Sequence, residues 1–177
     1  MPLDASKNSL VLPLLGLLVE QPAHAYDLTT RLCGRYAHLT ATRSSVTTLL
    51  KAMEKTGTIT PRAAERVGNR PPRTTYELTP AGLADFRHRV EAGLRAAPVA
   101  SIDFVLAISY TAILTADRAA TLLEARATGL TEVPTTGAPE IHMLEAGYWN
   151  AIIAAERAWI TGIAGRIRTH DLTWGPS

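Results

Sequence analysis

A mainly α-helical chain with one short β-hairpin, built in two parts, is predicted by three observations. Apolar residues recur at helical spacing in most segments, and one segment of the first half switches to a strand–turn–strand pattern. Charge is also divided unevenly. Residues 1–98 hold 13 Lys+Arg against 8 Asp+Glu, a net +5, whereas residues 99–177 hold 5 against 8, a net −3. With 46% hydrophobic and 19% charged residues, the chain has the apolar content to fold. Its 177 residues suffice for one ample core or two small ones. Within Arg31–Arg73 nine basic residues stand against two acidic ones, Glu54 and Glu65, a net +7. Such a segment beside a mildly acidic one points to a polyanion partner for the first part only. Cys33 is the only cysteine, which excludes an intrachain disulfide and thiolate-rich zinc sites and suits a reducing compartment.

The first element has two readings. Lys7, the apolar run Leu10–Val19 and then Ala23-His24-Ala25 resemble a secretory signal with a small-residue cleavage site. Against this stand Asp4 ahead of the run and Pro13 and Gly16 inside it, and the run is too short to span a bilayer. As structure, Leu12–Glu20 is a helix with Pro13 near its first position, ended by Gln21-Pro22. A second amphipathic helix over Ala25–Gly34 presents Tyr26, Leu28, Leu32 and Cys33.

Thr42–Gly57 is the stretch around which the rest is organised. Val46, Leu49, Leu50 and Met53 follow the i, i+3, i+4, i+7 spacing of one helical face. Thr42 suits the N-cap and Gly57 the C′ position, where a glycine takes positive φ. The opposite face carries Ser44, Thr47, Thr48, Lys51 and Lys55, hydroxyls followed by ammonium groups and no acid. Such a face can be an ordinary solvated one, or it can lie in a groove with lysines on phosphates.

The segment after Gly57 favours the groove. Thr58-Ile59-Thr60 and Thr74-Thr75-Tyr76-Glu77-Leu78 read as the arms of a ribbon. Between them Gly68-Asn69-Arg70-Pro71-Pro72-Arg73 holds two prolines that cannot donate to a ladder, so the tip is expected to be an open, basic loop. Thr79-Pro80 opens a further helix, with a hydroxyl N-cap and proline at the first position. Three helices, a basic hairpin and a following helix describe a winged helix-turn-helix.

These segments also resemble a family. Leu14-Leu15-Gly16-Leu17-Leu18, Pro22-Ala23-His24-Ala25-Tyr26-Asp27-Leu28, Leu49–Gly57, Arg70-Pro71-Pro72-Arg73 and Tyr76-Glu77-Leu78-Thr79-Pro80-Ala81-Gly82 are similar to the PadR family of transcriptional regulators. The resemblance runs over Leu10–Phe86, about half the chain, and is most specific in the wing and the Leu-Thr-Pro-Ala-Gly after it. Two departures stand out. Ala25 replaces the glycine usual before the tyrosine of the second helix, and Thr47 replaces a tyrosine of the recognition helix. The second removes a large side chain from the DNA-facing surface, so the family's operator preference does not transfer.

Beyond Pro98 the pattern is helical. Asp103–Leu114 is apolar on most sides, with Phe104, Val105, Leu106, Ile108, Tyr110, Ile113 and Leu114, and Thr115 caps a helix reaching Ala127. Thr131–Pro139 reads as a loop. The last helix, Glu140–His170, carries one apolar line at Ile141, Leu144, Tyr148, Ile152, Ala155, Trp159 and Ile163 and another at Trp149, Ile153, Ile160 and Ile167. That arc is wider than a helix resting on its own domain needs. In PadR-like proteins the C-terminal helices form the dimer, and the arc fits such a role; the alternative is a purely intramolecular core.

The five histidines, His24, His38, His88, His142 and His170, are scattered, with no helical metal-site spacing among them. Neither a Gly-x-Ser-x-Gly elbow nor a Gly-rich phosphate loop is present, so no enzyme, metal or cofactor is expected. The combined expectation is a cytoplasmic homodimeric regulator, a repressor rather than an activator. A winged-helix DNA-binding domain would cover residues 1–98 and a helical dimerisation and effector domain residues 99–177. Arg43, Ser44, Thr47 and Thr48 would read bases; Lys51 and Lys55 would meet phosphates. Arg70 and Arg73 would reach the adjacent minor groove or backbone, and Tyr26 is counted with the same surface. Phe104, Ile108, Leu144, Tyr148, Ile152, Trp159 and Ile163 are assigned to the dimer interface, and two-fold symmetry then implies a pseudo-palindromic operator in double-stranded DNA. Tyr110, Trp149 and Trp159 suit a small planar aromatic effector, or else simply fill the interface. A rival reading keeps the fold as a small-molecule sensor or protein-interaction adaptor that does not use DNA.

Overall fold

The structure, a computed structural model, describes residues 8–36, 39–62, 74–135, 137 and 139–174. It is mainly helical with one small antiparallel sheet, and it divides into two compact units, Met1–Arg89 and Val90–Ser177.

In the first unit α1 (Val11–Glu20) is buried along nearly its whole length, with Leu14, Leu15 and Leu17 fully enclosed. The apolar run that resembles a signal is thus a core helix of this unit. Glu20, at its end, pairs with Arg31 and Arg35 of α2 (Ala25–Arg35). Leu28 and Leu32 turn inward from α2, whereas Tyr26 and Cys33, expected on the same apolar face, are exposed. The reason is helical phase: Leu28 and Leu32, four residues apart, form one stripe, and Tyr26 and Cys33 lie on the far side of the helix from it.

The sheet has order β1-β3-β2, from β1 (Ala23–His24), β2 (Ile59–Arg62) and β3 (Thr75–Leu78). β1 is too short to show in any period-2 pattern, and it pairs Ala23 with Tyr76 and His24 with Thr75. β2 is an edge strand, which is why Pro61 is tolerated opposite Tyr76. Burial, with the negative charge of Glu54 adding to it, raises the Tyr76 phenol above its ordinary pKa.

α4 (Pro80–Ala96) begins as expected: the Thr79 hydroxyl accepts from Gly82 N–H and donates to the carbonyls of Gly57 and Thr58. Gly82 is required there, since a Cβ would lie 1.9 Å from the Thr58 carbonyl oxygen. Two segments distant in sequence, the end of α3 and the start of α4, meet at this point.

In the second unit the end of α4 packs closely on α5 (Ile102–Ser109), where a Cβ on Gly93 would come within 2.6 Å of Ala107 Cβ. α5 stops sooner than the expected Leu114. The hydroxyls of Ser109 and Thr111 donate to preceding carbonyls, and the chain tightens into a 3-10 turn at Thr111–Ile113. α6 (Ala116–Gly129), capped by Thr115, and α7 (Leu144–Arg168) form an antiparallel helical hairpin. Arg168, at the end of α7, reaches Asp117, Thr121 and Glu124 near the start of α6. This pairing holds the Glu124 carboxyl below its ordinary pKa. A separate 3-10 turn, Glu140–His142, precedes α7 in place of the single helix expected from Glu140. Among the described residues no helix is long and apolar enough to cross a membrane.

Candidate nucleic-acid interface

The candidate face is carried by α3 (Arg43–Lys55), whose two ends are set by local chemistry. At the start, Ser45 N–H donates to Thr42 Oγ1 at 3.1 Å and Thr42 N–H donates to Ser45 Oγ at 3.0 Å, a reciprocal capping box. At the end, Thr58 N–H reaches the Met53 carbonyl and Gly57 N–H that of Glu54, while Gly57 takes φ +75°. This is a Schellman stop, and it turns the chain directly into β2. Val46, Leu49, Leu50 and Met53 are buried, and this stripe determines which side of the helix is left for a partner.

Arg43, Ser44, Thr48, Lys51 and Lys55 are exposed on the outward side, with Thr47 half-buried among them. The Thr47 hydroxyl donates to the Arg43 carbonyl at 2.8 Å, so its proton is committed within the helix. The Arg43 guanidinium stands over the ring of Tyr26, Cζ 5.7 Å from the centroid, joining α3 to the start of α2. There the His24 Nδ1 accepts from Asp27 N–H and caps α2.

The charge of this surface is more concentrated than a count along the sequence conveys. Arg31 and Arg35 are paired with Glu20 and Arg62 with Glu77, acids that lie outside the stretch Arg31–Arg73. Among the described residues Arg43, Lys51 and Lys55 form no ion pair, and all three lie on the exposed side of α3. Among the described residues of this stretch, the cations without an ion pair therefore lie on the helix. Arg70 and Arg73, with the proline tip between them, lie outside the described residues.

The other expected sites fall in the second unit. Phe104 is only 4% exposed and sits inside its own unit beneath Arg126, which removes it from any surface between copies. Ile108, Ile152 and Ile163 are half-buried. Leu144, Tyr148 and Trp159 are 59%, 64% and 45% exposed. Tyr110 is the half-buried C-cap of α5. Trp149 and Trp159 both lie on α7 but ten residues apart, about 15 Å along its axis, too far to grip one small ring within a single chain. Among the described residues no group of three His, Cys, Asp or Glu is placed to hold a metal ion.

A helix with a hydroxyl-and-cation face, preceded by the buried α1 and the amphipathic α2 and followed by a hairpin, defines a winged helix-turn-helix unit, the class of fold used by DNA-binding regulators. Residues 14–88 match the transcriptional regulator PadR-like family. Among solved structures the chain is similar to Bacillus subtilis PadR in complex with operator DNA, at 20% identity and a TM-score of 0.47 over 90% of this chain and 99% of that one. It is also similar to Bacillus subtilis PadR in complex with p-coumaric acid (19% identity, TM-score 0.42, 91% and 99% covered). A third is smu.1604c from Streptococcus mutans UA159 (16% identity, TM-score 0.44, 90% and 96% covered). No curated protein sequence matches the chain. The similarity to the family rests on the match over residues 14–88.

Proposed function

We propose that this chain is a cytoplasmic, homodimeric transcriptional repressor that reads a pseudo-palindromic operator with α3. The single observation that carries this reading is the outward side of α3, where Arg43, Lys51 and Lys55 lie unpaired beside exposed hydroxyls on a helix whose opposite stripe is buried. Small hydroxyls allow close approach to base edges, and unpaired cations gain from displacing the counterions of a polyanion. Residues 1–98 then serve as the DNA-binding domain and residues 99–177 as the dimerisation and effector domain.

The dimer is supported by α7. Beside its buried seam of Ala146, Ile153, Ile160 and Ile167 runs a second apolar line, Leu144, Tyr148, Ile152, Trp159 and Ile163, that its own unit leaves open to solvent or half-covered. The remaining outward side is small: Gly147, Ala151, Ala154, Ala158 and Gly165 are all exposed. A solvated helix face normally carries charge, and a face this poor in it suits burial against a second copy. A small planar aromatic effector would then sit between copies, using Tyr110, Trp149 and Trp159. It would release DNA by favouring a dimer whose reading helices are spaced wrongly for the operator.

Gel shift of the full chain on its own promoter region, repeated over a salt series, tests the DNA reading. Salt-dependent retardation of one duplex above random sequence is expected. Equal weak binding to all duplexes would favour a sensor or adaptor that does not use DNA. Tryptophan fluorescence during titration with planar phenolic acids, with and without operator, tests the effector. Linkage requires operator to weaken ligand binding by the factor by which ligand weakens operator binding. Quenching unaffected by operator would remove the inducer role.

A further inference from the structure

The face of α3 carries several groups that can touch DNA, but they are not equivalent as readers of sequence. Lys51 and Lys55 are point charges on flexible stems, suited to phosphates. Thr47 has already donated its proton to the Arg43 carbonyl. Arg43 alone among the α3 residues brings a planar fork of donors, and it has no carboxylate partner among the described residues. Its guanidinium instead stands over the ring of Tyr26, a side chain that is itself 56% exposed.

An exposed cation–π contact adds little to stability, so holding the fold together does not explain this pairing. Its consequence is orientational. A guanidinium drawn toward an aromatic ring 5.7 Å away gives up some rotamer freedom in advance, and that lowers the entropy cost of making two parallel hydrogen bonds. The base edge that matches such a fork in the major groove is guanine, through O6 and N7.

We propose that Arg43, held on the face of Tyr26, reads one guanine in each half-site of the operator, and that Tyr26 is the positioning residue for it. The proposal rests on the DNA-binding reading and adds to it which base is read and through which pair. It also supplies a large reader at the start of a helix that lacks one at Thr47.

Selection from random duplexes with the full-length protein at fixed salt tests it, with R43A, R43K, Y26F, Y26A and the double variant Y26A/R43A. Wild type should select a guanine at one position of each half-site. R43A and R43K should lose roughly tenfold of that preference, lysine included because it lacks the fork. Y26F keeps the ring and should match wild type. Y26A should lose part of the guanine preference, and that loss should vanish in the R43A background. Melting temperatures should be unchanged throughout, because both side chains are exposed. If Y26F weakens all duplexes equally, the hydroxyl serves a phosphate and the positioning role is overturned. If R43A lowers affinity on every duplex alike and flattens the salt slope, Arg43 is a phosphate contact and the base assignment falls. If wild type selects no sequence at all, the DNA reading fails first, an outcome distinct from either.

Discussion

Arg126 and Glu156 form a charged pair enclosed within the C-terminal unit, with Nε and Nη2 of the arginine donating to one carboxylate oxygen at 2.9 and 2.5 Å. The same guanidinium lies 4.0 Å above the Phe104 ring and donates to the carbonyls of Ala97 and Pro98. The second carboxylate oxygen accepts from the N–H of Ala100, which is held at φ 55°, a conformation unfavourable for a residue with a Cβ. One ion pair therefore ties α6, α7 and the linker after α4 together, and each charge is well provided with partners. Removing one partner leaves the other charged and dry. Arg126→Met should lower unfolding free energy by about 3 kcal/mol or more, measured by denaturant titration. Arg126→Met with Glu156→Leu should recover a large part of that loss, because no uncompensated charge remains.

Gly82→Ala should destabilise the N-terminal unit more than a helix-interior alanine would suggest. Helix propensity alone favours alanine by about 1 kcal/mol, yet its Cβ would meet the Thr58 carbonyl at 1.9 Å. The clash is with backbone and cannot be relieved by a rotamer change. A net fall in melting temperature is expected, and a rise would show that the α4 start can shift away from β2.

Lys51→Ala and Lys55→Ala should each weaken binding on operator and on random duplex alike. The slope of log affinity against log salt should fall by about 0.9 for each. A changed sequence preference with an unchanged slope would mean that α3 docks differently.

In the wing, Arg70→Ala with Arg73→Ala should leave melting temperature nearly unchanged, since surface charges add little to stability. Operator affinity should fall by roughly tenfold or more if both arginines meet DNA. Normal binding by the double variant would reduce the wing to an ordinary hairpin.

The exposed line of α7 separates assembly from folding. Tyr148→Glu with Trp159→Glu places charges at positions 64% and 45% exposed, so the chain should stay folded while sedimentation shows a monomer. Operator affinity should fall with it. Deleting Glu140–Ser177 is a harsher change, because it uncovers Leu122 and Leu123 of α6, and a poorly soluble product is expected. A well-behaved, operator-binding dimer from either variant would place the interface elsewhere.

The sequence by itself determined what local chemistry specifies. Thr42, Gly57 and the stripe Val46, Leu49, Leu50 and Met53 mark α3 because caps, a left-handed glycine and a helical period act within a few residues of each other. Thr79-Pro80 marked α4 for the same reason. The tertiary structure alone decided the rest, because pairing over long sequence separations has no local signature. It matched Glu20 with Arg31 and Arg35 and Glu77 with Arg62, and so, among the described residues of that stretch, left the unpaired cations on α3. It brought Arg43 over Tyr26 and added the two-residue strand β1 to the sheet. It also divided the broad apolar arc of α7 into a seam buried against α6 and a line left open. Phe104 was taken inside beneath Arg126 of α6, a contact between helices that periodicity along one helix cannot reveal.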